Sequence, residues 1–367
     1  MRDRWTAADV RRRRAAAQLL GAESASGPAD AVRRVVGVQS QDVKPARLAV
    51  RARSTGLTAG DVDARCTSGE LVRTWLMRGT LHMVIADDVR WLLRLFGERT
   101  ARRQAGRRRR LGLDEDTCRR GLDALRAVLA GSAPLTRATL MDEIAREGVA
   151  LDPRSQAPAH LLQYAAVRGL VCRGPEDEHD GATYTLLADR AGPAQPGDED
   201  ADLARLALRY VTGHGPTGPP DLAAWSGLPL TSAGRAFALA ARELCEVATE
   251  LGPLHELPER AGEAVVPHPD VRLLGHFDGY LLGYRDRTLI VPPAHDRAVQ
   301  SGGGFIMPTF VADGRALGTW SVRHRRHRMT VEITPFDDGL DAGVREGLHV
   351  DAADLGRYLG VPAHVTV

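Results

Sequence analysis

Two glutamines stand two positions apart in the stretch VGVQSQDVKP, at Gln39 and Gln41. A glutamine side chain carries a carbonyl oxygen that accepts hydrogen bonds and an amino group that donates them. It is a poor general base and a poor metal ligand, and most such pairs are solvated surface residues with no chemical role. Whether this pair has a role depends on the elements that position it.

Helix signals on both sides place the two glutamines at a junction between helices. Three valines in AVRRVV lie at i, i+3 and i+4 on one face of a predicted helix, which Gly37 ends. Pro45 favours the first position of a following helix over PARLAVRAR. We therefore expect the side chains of Gln39 and Gln41 to project into a cleft instead of lying along a helix face.

A second candidate is the alternating stretch TWLMRGTLHMV, residues 74–84. The alternation predicts a strand with a kink at Gly79, apolar on one face, with Arg78, Thr80 and His82 on the other. This polar face is a candidate to contact a bound molecule. An exposed edge strand with ordinary polar residues explains the pattern equally well, and a hydrogen-bonded structural histidine is the simpler interpretation of His82.

The order of predicted elements indicates a repeated unit. Residues 113–190 contain three helical segments followed by the strands LVCR and ATYTLL, which is the order of a winged helix. The same order recurs over 198–265, after the linker AGPAQPGDED, and indicates an internal repeat. Residues 1–112 are interpreted as a first, diverged winged-helix unit that carries the glutamine pair.

The last part of the chain, residues 266–367, has the pattern of an antiparallel β domain. The segments YLLGYRDRTLIVPP, FIMPTFV, RALGTWSVR and MTVEITPF predict strands, Asp313–Gly314 predicts a hairpin turn, and DAADLGRYLG predicts a closing helix. The predicted fold is therefore mainly α with β, with tandem winged-helix (helix-turn-helix) units followed by a C-terminal β-barrel.

Composition excludes several classes of protein. The chain has 367 residues and a formal net charge of +2, and it contains no apolar run long enough to span a bilayer. Its first residues, MRDRWTAADVRRRR, lack the apolar segment of a secretory signal. We expect a cytoplasmic protein that does not contact membranes.

Motifs for metals, cofactors and covalent catalysis are missing from the sequence. Cys66, Cys118, Cys172 and Cys245 stand singly, so they predict small buried hydrophobes instead of a zinc site or a redox pair. There is no phosphate-loop pattern, metal-binding histidine spacing or nucleophile elbow, and SGGGF at 301–305 predicts a loop. We expect no cofactor and no metal.

Arginines supply nearly all the positive charge, because Lys44 is the only lysine. A GC-rich genome explains that bias without a functional cause, so the positions of the arginines are more informative than their number. One cluster lies at the end of the predicted helix that begins near Asp87, in the stretch ERTARRQAGRRRR. A second cluster, RHRRHR at 323–328, lies in a predicted turn between C-terminal strands. The candidate DNA contacts from these clusters are Arg107, Arg108, Arg325 and Arg326.

The predicted wing of the 113–190 unit is acidic. Its connection PEDEHD carries Glu176, Asp177, Glu178 and Asp180. Phosphate would repel such a wing, so we do not expect this unit to hold DNA through it. The acidic wing argues against a simple repressor, whose wing usually helps to hold the DNA backbone.

Several stretches, taken in order along nearly the whole chain, resemble the bacterial AlkZ-type DNA glycosylases: VGVQSQD, RTWLMRGTLHMV, WSGLP, FDGYLLGYRDR, GGGF and DGRALGTW. The resemblance implies tandem winged helices with a C-terminal β-barrel. It implies excision of N7-alkylated purines, which for some members extends to bulky adducts or interstrand crosslinks made by natural products. The implied partner is double-stranded DNA carrying alkylated guanine, and because the layout needs no partner chain we expect a monomer.

The family's signature of glutamine, any residue, glutamine falls on Gln39 and Gln41, and implies that both are catalytic. The middle residue is often aliphatic or small, so Ser40 departs mildly from the pattern, and another branch has aspartate at the second position. Alkylation at N7 weakens the glycosidic bond, which leaves the enzyme to place a water and to stabilise an oxocarbenium-like sugar. We assign Gln41 the main water-positioning role and Gln39 a supporting one.

Neighbouring residues acquire roles through the same resemblance. Arg78, Thr80 and His82 become candidates to line the lesion. Asp42 would favour a cationic leaving group, although it could equally cap the helix that follows.

Two hypotheses follow from the sequence. The leading one is a monofunctional DNA glycosylase that hydrolyses the N-glycosidic bond of N7-alkylated guanine without a cofactor. The alternative is a non-catalytic winged-helix DNA-binding protein, either a transcription regulator or a module that sequesters adducts. A regulator would bind a defined duplex sequence tightly, whereas a glycosylase should bind undamaged duplex weakly and without sequence preference.

Overall fold

The computed structural model describes residues 4–177, 181–264, 270–325 and 328–366. The chain forms two compact units. The first unit is built from residues 1–62 and 203–367, and the second is the intervening segment 63–202. This division is coarser than the four ranges predicted from the sequence, which stay a prediction.

Helices dominate the first half of the chain. The first unit opens with α1 (Ala7–Ala17), α2 (Pro28–Arg34), β1 (Val38–Gln39), α3 (Val43–Arg51) and the start of α4 (Ala59–Ser68). The second unit continues with β2 (Leu71–Trp75), a 3-10 turn (Met77–Gly79), β3 (Leu81–Ile85), α5 (Ala86–Arg110), α6 (Glu115–Leu129), β4 (Leu135–Thr136), α7 (Arg137–Arg146), α8 (Ala157–Val167), β5 (Val171–Arg173), β6 (Thr183–Leu186), α9 (Ala188–Ala191) and the start of α10 (Glu199–His214).

The rest of the first unit changes from helices to strands. It contains α10, α11 (Pro219–Ser226), α12 (Leu230–Leu239), β7 (Cys245–Thr249), β8 (Gly252–Glu256), α13 (Pro258–Ala261), β9 (Val271–Leu274), α14 (Gly279–Leu282), a 3-10 turn (Pro293–His295), α15 (Asp296–Val299), β10 (Thr309–Ala312), β11 (Arg315–Arg325), β12 (Arg328–Pro335), α16 (Ala342–Leu359) and β13 (Ala363–Thr366). The fold class is therefore mixed α and β.

The first helix begins after a capping box formed by Thr6 and Asp9, whose residue types and spacing are typical of a helix start. The hydroxyl of Thr6 accepts a hydrogen bond from the backbone of Asp9, and the carboxylate of Asp9 accepts one from the backbone of Thr6. This reciprocal capping box satisfies two amide groups that the helix leaves without partners.

Three helices surround the core of the second unit. Leu125 of α6, Leu140 of α7 and Leu161 of α8 are fully buried there, and each such leucine contributes about 2 kcal/mol through burial. Thr136 caps α7, because its hydroxyl accepts from the backbone of Thr139 at 3.2 Å. The strands β5 and β6 pair antiparallel after α8, so the predicted order of three helices and two strands is observed.

The prediction of a single strand over residues 74–84 is wrong, since the structure has a hairpin there. Strands β2 and β3 pair antiparallel, with Thr74 opposite His82. The turn between them places Arg78 at φ 54° and Gly79 at φ 73°. The apolar side chains keep the same parity on both sides of this turn, so alternation alone does not distinguish the hairpin from one continuous strand.

A closed C-terminal barrel is also a wrong prediction, because the described strands form an open sheet. Their order is β13-β12-β11-β10-β9, with β13 parallel to β12. Helix α16 packs its apolar side chains, including Leu348 and Leu355, on the face that carries Trp320 and Val331. The helix covers this face, and β9 and β13 remain at opposite edges.

Two sequence predictions in the C-terminal region, a hairpin turn and a strand, have different outcomes. Asp313 and Gly314 form the predicted hairpin turn, with φ values of 50° and 71° between the paired residues Ala312 and Arg315. The predicted strand YLLGYRDRTLIVPP instead begins with the helical turn α14, because the carboxylate of Asp278 caps it through the backbone of Tyr280 at 2.9 Å.

Two further predictions concern membranes and cysteines. None of the helices in the described ranges is long and apolar enough to cross a membrane. Cys66, Cys118 and Cys172 are buried, as the sequence predicts, whereas Cys245 is half-buried.

Candidate active site

A direct hydrogen bond joins the two glutamine side chains. Nε2 of Gln39 donates to Oε1 of Gln41 at 3.1 Å. Ser40 between them is fully buried, whereas Gln39 is half-buried and Gln41 is exposed. Alternating backbone therefore turns Ser40 inward and the two amides outward, and the structure brings this predicted pair together.

The backbone before the pair has an unexpected conformation. Helix α2 ends at Arg34, and Val36 takes φ 67°, in the left-handed region that disfavours β-branched residues. The sequence predicted Gly37 as the break, because glycine tolerates such a conformation and valine does not. Val36 is fully buried, and the surrounding core holds the strained backbone that leads into Gln39.

Helix α3 begins directly behind the pair. It starts at Val43, so Pro45 is its third residue and not the first, as the sequence predicted. The carboxylate of Asp42 accepts from the backbone N–H of Lys44 at 3.0 Å and is the N-cap of α3. The capping interpretation of Asp42 is confirmed, and the cap fixes an exposed carboxylate one residue after Gln41.

The pair can orient a small polar molecule. Because Oε1 of Gln41 accepts from the Gln39 amide, its orientation is fixed while one of its two lone pairs remains available. A water donating to that oxygen would be held in a defined position. In the described part of the chain, no group of three or more histidine, cysteine, aspartate or glutamate side chains is arranged to hold a metal ion.

The predicted lesion-lining residues lie together in the β2–β3 hairpin of the second unit. Arg78 is in the turn and is half-buried, and its carbonyl oxygen accepts from the guanidinium of Arg103 at 2.5 Å. The hydroxyl of Thr80 donates to the carbonyl oxygen of Met77 at 3.2 Å. This turn is therefore well anchored to α5, and its predicted contact with the lesion stays a prediction.

His82 is a buried residue of the same hairpin. Its Nδ1 lies 3.0 Å from the carbonyl oxygen of Thr80, which can only accept, so Nδ1 carries the proton. Burial lowers the pKa of His82 to about 3, and the charge of Arg78 acts in the same direction. The imidazole is neutral near pH 7, which fits a structural role in the hairpin better than that of a proton donor.

The predicted DNA-contacting arginines differ in their surroundings. Arg107 is exposed on α5 and donates to the side chain of Gln156 at 2.6 Å. Arg108 is buried, and its guanidinium stacks 4.2 Å from the ring centre of Tyr164, so its contacts support packing. The exposed arginines of this part of α5 are Arg99, Arg102, Arg103, Arg107, Arg109 and Arg110.

The described residues of the second arginine cluster lie in the adjoining ends of β11 and β12 and not in a turn. Arg325 ends β11, and Arg328 begins β12 as its partner across the hairpin. Arg326 and the side chain of Arg325 lie outside the described residues. Their predicted contact with DNA stays a prediction.

Part of the predicted acidic wing is neutralised internally. Glu176 is nearly buried and forms an ion pair with Arg73. The carboxylate of Asp177 accepts from the backbone of Gly181 at 2.7 Å. Glu178 and Asp180 lie outside the described residues. The negative charge of Glu176 is therefore screened, which weakens the expected repulsion of phosphate at this connection.

Comparison with known proteins gives a consistent result. The family described as "DNA glycosylase AlkZ-like" matches residues 32–358, a range that includes both glutamines. The chain is 29% identical over 358 residues to the "Interstrand DNA cross-link repair glycosylase" of Streptomyces sahachiroi, covering 94% of each chain. Its fold matches the solved structure of the Streptomyces sahachiroi DNA glycosylase AlkZ with a TM-score of 0.82 and 26% identity, over 99% of this chain and 100% of that one.

These matches extend over both units and not only over one module. A family match of this extent identifies an enzyme, so the alternative of a non-catalytic regulator or sequestering module is wrong. The chain belongs to the AlkZ-like DNA glycosylase family, and the protein is a DNA glycosylase.

Proposed function

We propose that this glycosylase hydrolyses the N-glycosidic bond of N7-alkylated guanine in double-stranded DNA, with a water held by Gln41. The observation that carries the proposal is the hydrogen bond of 3.1 Å from the Gln39 amide to Oε1 of Gln41. The Streptomyces sahachiroi relative is named an interstrand DNA cross-link repair glycosylase, which supports extending the substrates to bulky adducts and crosslinks formed through N7.

The reaction requires the protein only to position the attacking water and to supply a dipole near the positive charge that develops on the sugar. Alkylation at N7 gives guanine a positive charge, so the bond between N9 and the anomeric carbon breaks with both electrons leaving on a base that becomes neutral. The sugar then carries oxocarbenium character. Oxygen of the water bonds to the anomeric carbon and its proton passes to solvent. Oε1 of Gln41 orients that water and stabilises the developing positive charge. The hydrogen bond from the Gln39 amide fixes the orientation of Oε1.

Selectivity for charged lesions follows from the same chemistry. Unmodified guanine is a poor leaving group unless a strong acid protonates it, and two amides supply no such proton. We therefore propose that neutral guanine in the same duplex resists hydrolysis. This selectivity protects undamaged DNA without requiring the enzyme to recognise each alkyl group.

Asp42 provides a measurable electrostatic contribution. Replacing Asp42 by asparagine keeps a good N-cap for α3 and removes only the charge. Two unit charges roughly 7 Å apart in water interact by about 0.6 kcal/mol, and an exposed charge acting over such a range should slow excision of 7-methylguanine by about threefold when it is removed. The measurement is the single-turnover rate at low and high salt. Asp42→Ala, which removes the cap as well, should also lower the unfolding midpoint, whereas Asp42→Asn should leave it unchanged.

DNA recognition is assigned to residues outside the pair. We propose that Arg78 and Thr80, with His82 holding their hairpin in place, line the lesion. We propose that Arg107 contacts phosphate, together with Arg325 and Arg326. Phosphate contacts of this kind fix position on the duplex without reading its sequence. Arg108 is kept among the candidates, although its stacking on Tyr164 supports a packing role.

The predicted organisation also belongs to this proposal. We propose that the ranges 1–112, 113–190 and 198–265 are winged-helix units, followed by the β domain 266–367, and that the enzyme acts as a monomer. The support is the repeated order of elements, in which α6, α7 and α8 precede the pair β5–β6, and α10, α11 and α12 precede the pair β7–β8.

A duplex with a single 7-methylguanine tests the proposed function. The protein is incubated with the labelled duplex with and without EDTA, and hot alkali then cleaves any abasic site. We expect cleavage at the lesion that EDTA does not reduce, because the proposed step uses only amides and water. An identical duplex with unmodified guanine is the matched control and should stay intact. Absence of cleavage at 7-methylguanine, or its loss with EDTA, would contradict the proposal.

A further inference from the structure

Three rings meet at the surface of the first unit, formed by His276, Phe277 and Phe305. The ring centres of Phe305 lie 4.9 Å from those of both His276 and Phe277, with edge-to-face angles of 61° and 77°. The side chain of Phe305 is nevertheless 43% exposed, and it is the only aromatic among the large hydrophobic side chains that are exposed in the described ranges. Because two neighbouring rings hold this side chain in place, its exposed part is available to a planar partner ring.

The backbone on both sides of this cluster is unusual. Phe277 takes φ 58°, a left-handed conformation that costs energy for any residue with a side chain. Gly302, Gly303 and Gly304 all have positive φ, and a side-chain carbon added to any of them would meet open space. The three residues that precede Phe305 in the chain therefore carry no side chains and adopt a conformation that favours glycine.

The two halves of the cluster are tied together. Nδ1 of His276 donates to the carbonyl oxygen of Ile306 at 3.0 Å. This bond links the residue before Phe277 to the residue after Phe305. The three rings therefore form one surface, although Phe277 and Phe305 are far apart in the sequence.

This surface is anchored to the helix that starts behind the glutamine pair. Gly275 lies against α3, since a Cβ there would be 3.1 Å from Cβ of Leu48 and 3.6 Å from the carbonyl oxygen of Pro45. Asp278 forms a buried ion pair with Arg53, the second residue after α3, at 2.7 Å. Phe277 is therefore held between a contact on α3 and an ion pair with Arg53 just after its end, and the first residue of α3 is two positions after Gln41.

We propose that the exposed ring of Phe305, braced edge-to-face by His276 and Phe277, is an aromatic platform that stacks on a planar ring of the damaged DNA. The ring is either the unstacked nucleobase or an aromatic ring that a bulky adduct carries, and both offer the same π face. This inference depends on the proposed function only in assuming that the damaged DNA carries an N7-alkylated guanine. Such a platform accounts for the exposed ring of Phe305, the positive φ of Phe277 and the three successive glycines that precede Phe305.

Equilibrium binding to lesions that cannot be hydrolysed tests the platform separately from the chemistry. A fluorine at the 2′ position of the lesion sugar disfavours the oxocarbenium state and prevents excision. Three duplexes are compared, one with 7-methylguanine, one with 7-(naphthylmethyl)guanine and one undamaged. The variants are Phe305→Ala, Phe305→Leu and Phe305→Tyr, with Leu251→Ala as a control at another exposed hydrophobic residue.

The expected result is a selective loss of affinity for damaged DNA. Phe305→Ala should raise the Kd for a damaged duplex by about tenfold, within the range of base–aromatic stacking, and leave the Kd for undamaged duplex unchanged. Phe305→Tyr should restore binding, whereas Phe305→Leu should not, because leucine has no π face. A loss with both lesions identifies the nucleobase as the stacked ring, and a loss with the naphthylmethyl lesion alone identifies the ring of the adduct.

Three outcomes would overturn the platform. They are an unchanged Kd for every duplex, an equal loss for damaged and undamaged duplexes, and full rescue by leucine. Because binding is measured without turnover, failure of the platform is distinct from failure of the proposed hydrolysis, which shows as an inactive wild-type enzyme on natural 7-methylguanine.

Discussion

Excision of 7-methylguanine should fall by about two to three orders of magnitude when Gln39 and Gln41 are both replaced by alanine. We expect a loss of this size because removing a preorganised polar group from a reacting centre typically lowers the rate by about 10²–10³. Gln41 is exposed and Gln39 half-buried, so the fold should tolerate the change. The measurement is the single-turnover rate at saturating enzyme, together with the Kd for a duplex containing a non-hydrolysable lesion.

Single substitutions separate the two proposed roles. Gln41→Ala should lose nearly as much activity as the double variant, because it removes the oxygen that holds the water. Gln39→Ala should lose about tenfold, since the hydrogen bond to Oε1 of Gln41 disappears while the oxygen remains. Gln195→Ala, at an exposed glutamine of the second unit, is the matched control and should keep full activity. If the double variant keeps wild-type excision, the glutamine pair is not the catalytic centre.

The glutamine pair illustrates what sequence can predict about this site. Local helix signals were enough to place Gln39 and Gln41 at a junction between helices, whereas their catalytic role was implied only by the resemblance to a family. The direct hydrogen bond between them was not predictable, since it depends on side-chain orientations, and neither was the strained backbone at Val36 that precedes the pair. That strain persists because the buried core around Val36 fixes it, and no local signal marks a valine for positive φ.

The fold shows the same contrast between local signals, which the sequence carries, and non-local contacts, which it does not. Local capping and turn signals at Thr6, Thr136 and Asp313 gave correct helix and hairpin boundaries. Non-local pairing was missed, including the parallel pairing of β13 with β12 that accompanies the open sheet. Alternation also failed for the hairpin at 71–85, because parity is conserved across its turn. Such features depend on which strands meet in space, and a single sequence carries little information about that.

One buried contact joins the fold to the site. Arg53 and Asp278 are both almost completely buried, and their charged groups approach to 2.7 Å. Arg53 also donates to Oε1 of Gln18 at 2.7 Å and to the carbonyl oxygen of Ala49 at 2.9 Å. This network holds the segment of Phe277 against α3, so the aromatic platform and the helix behind Gln41 share one support.

Breaking that ion pair should be among the most destabilising single changes in the first unit. Asp278→Asn keeps an oxygen to cap α14 but leaves the guanidinium of Arg53 buried without a counter-charge, which costs about 3–5 kcal/mol. Urea unfolding should therefore shift to a lower midpoint with an unchanged slope. The double variant Arg53→Met with Asp278→Asn should lose less than the sum of its single changes, because no isolated buried charge remains.

An exposed ion pair provides the matched control for this prediction. Arg65 and Glu70 are 3.0 Å apart with about half of each side chain exposed, so solvent screens their attraction. Glu70→Ala should leave the unfolding midpoint unchanged within error. If Asp278→Asn is equally silent, or if the double variant loses the full sum, then Arg53 is solvated or neutralised in another way. In that case the support that joins Phe277 to α3 is weaker than its distances indicate.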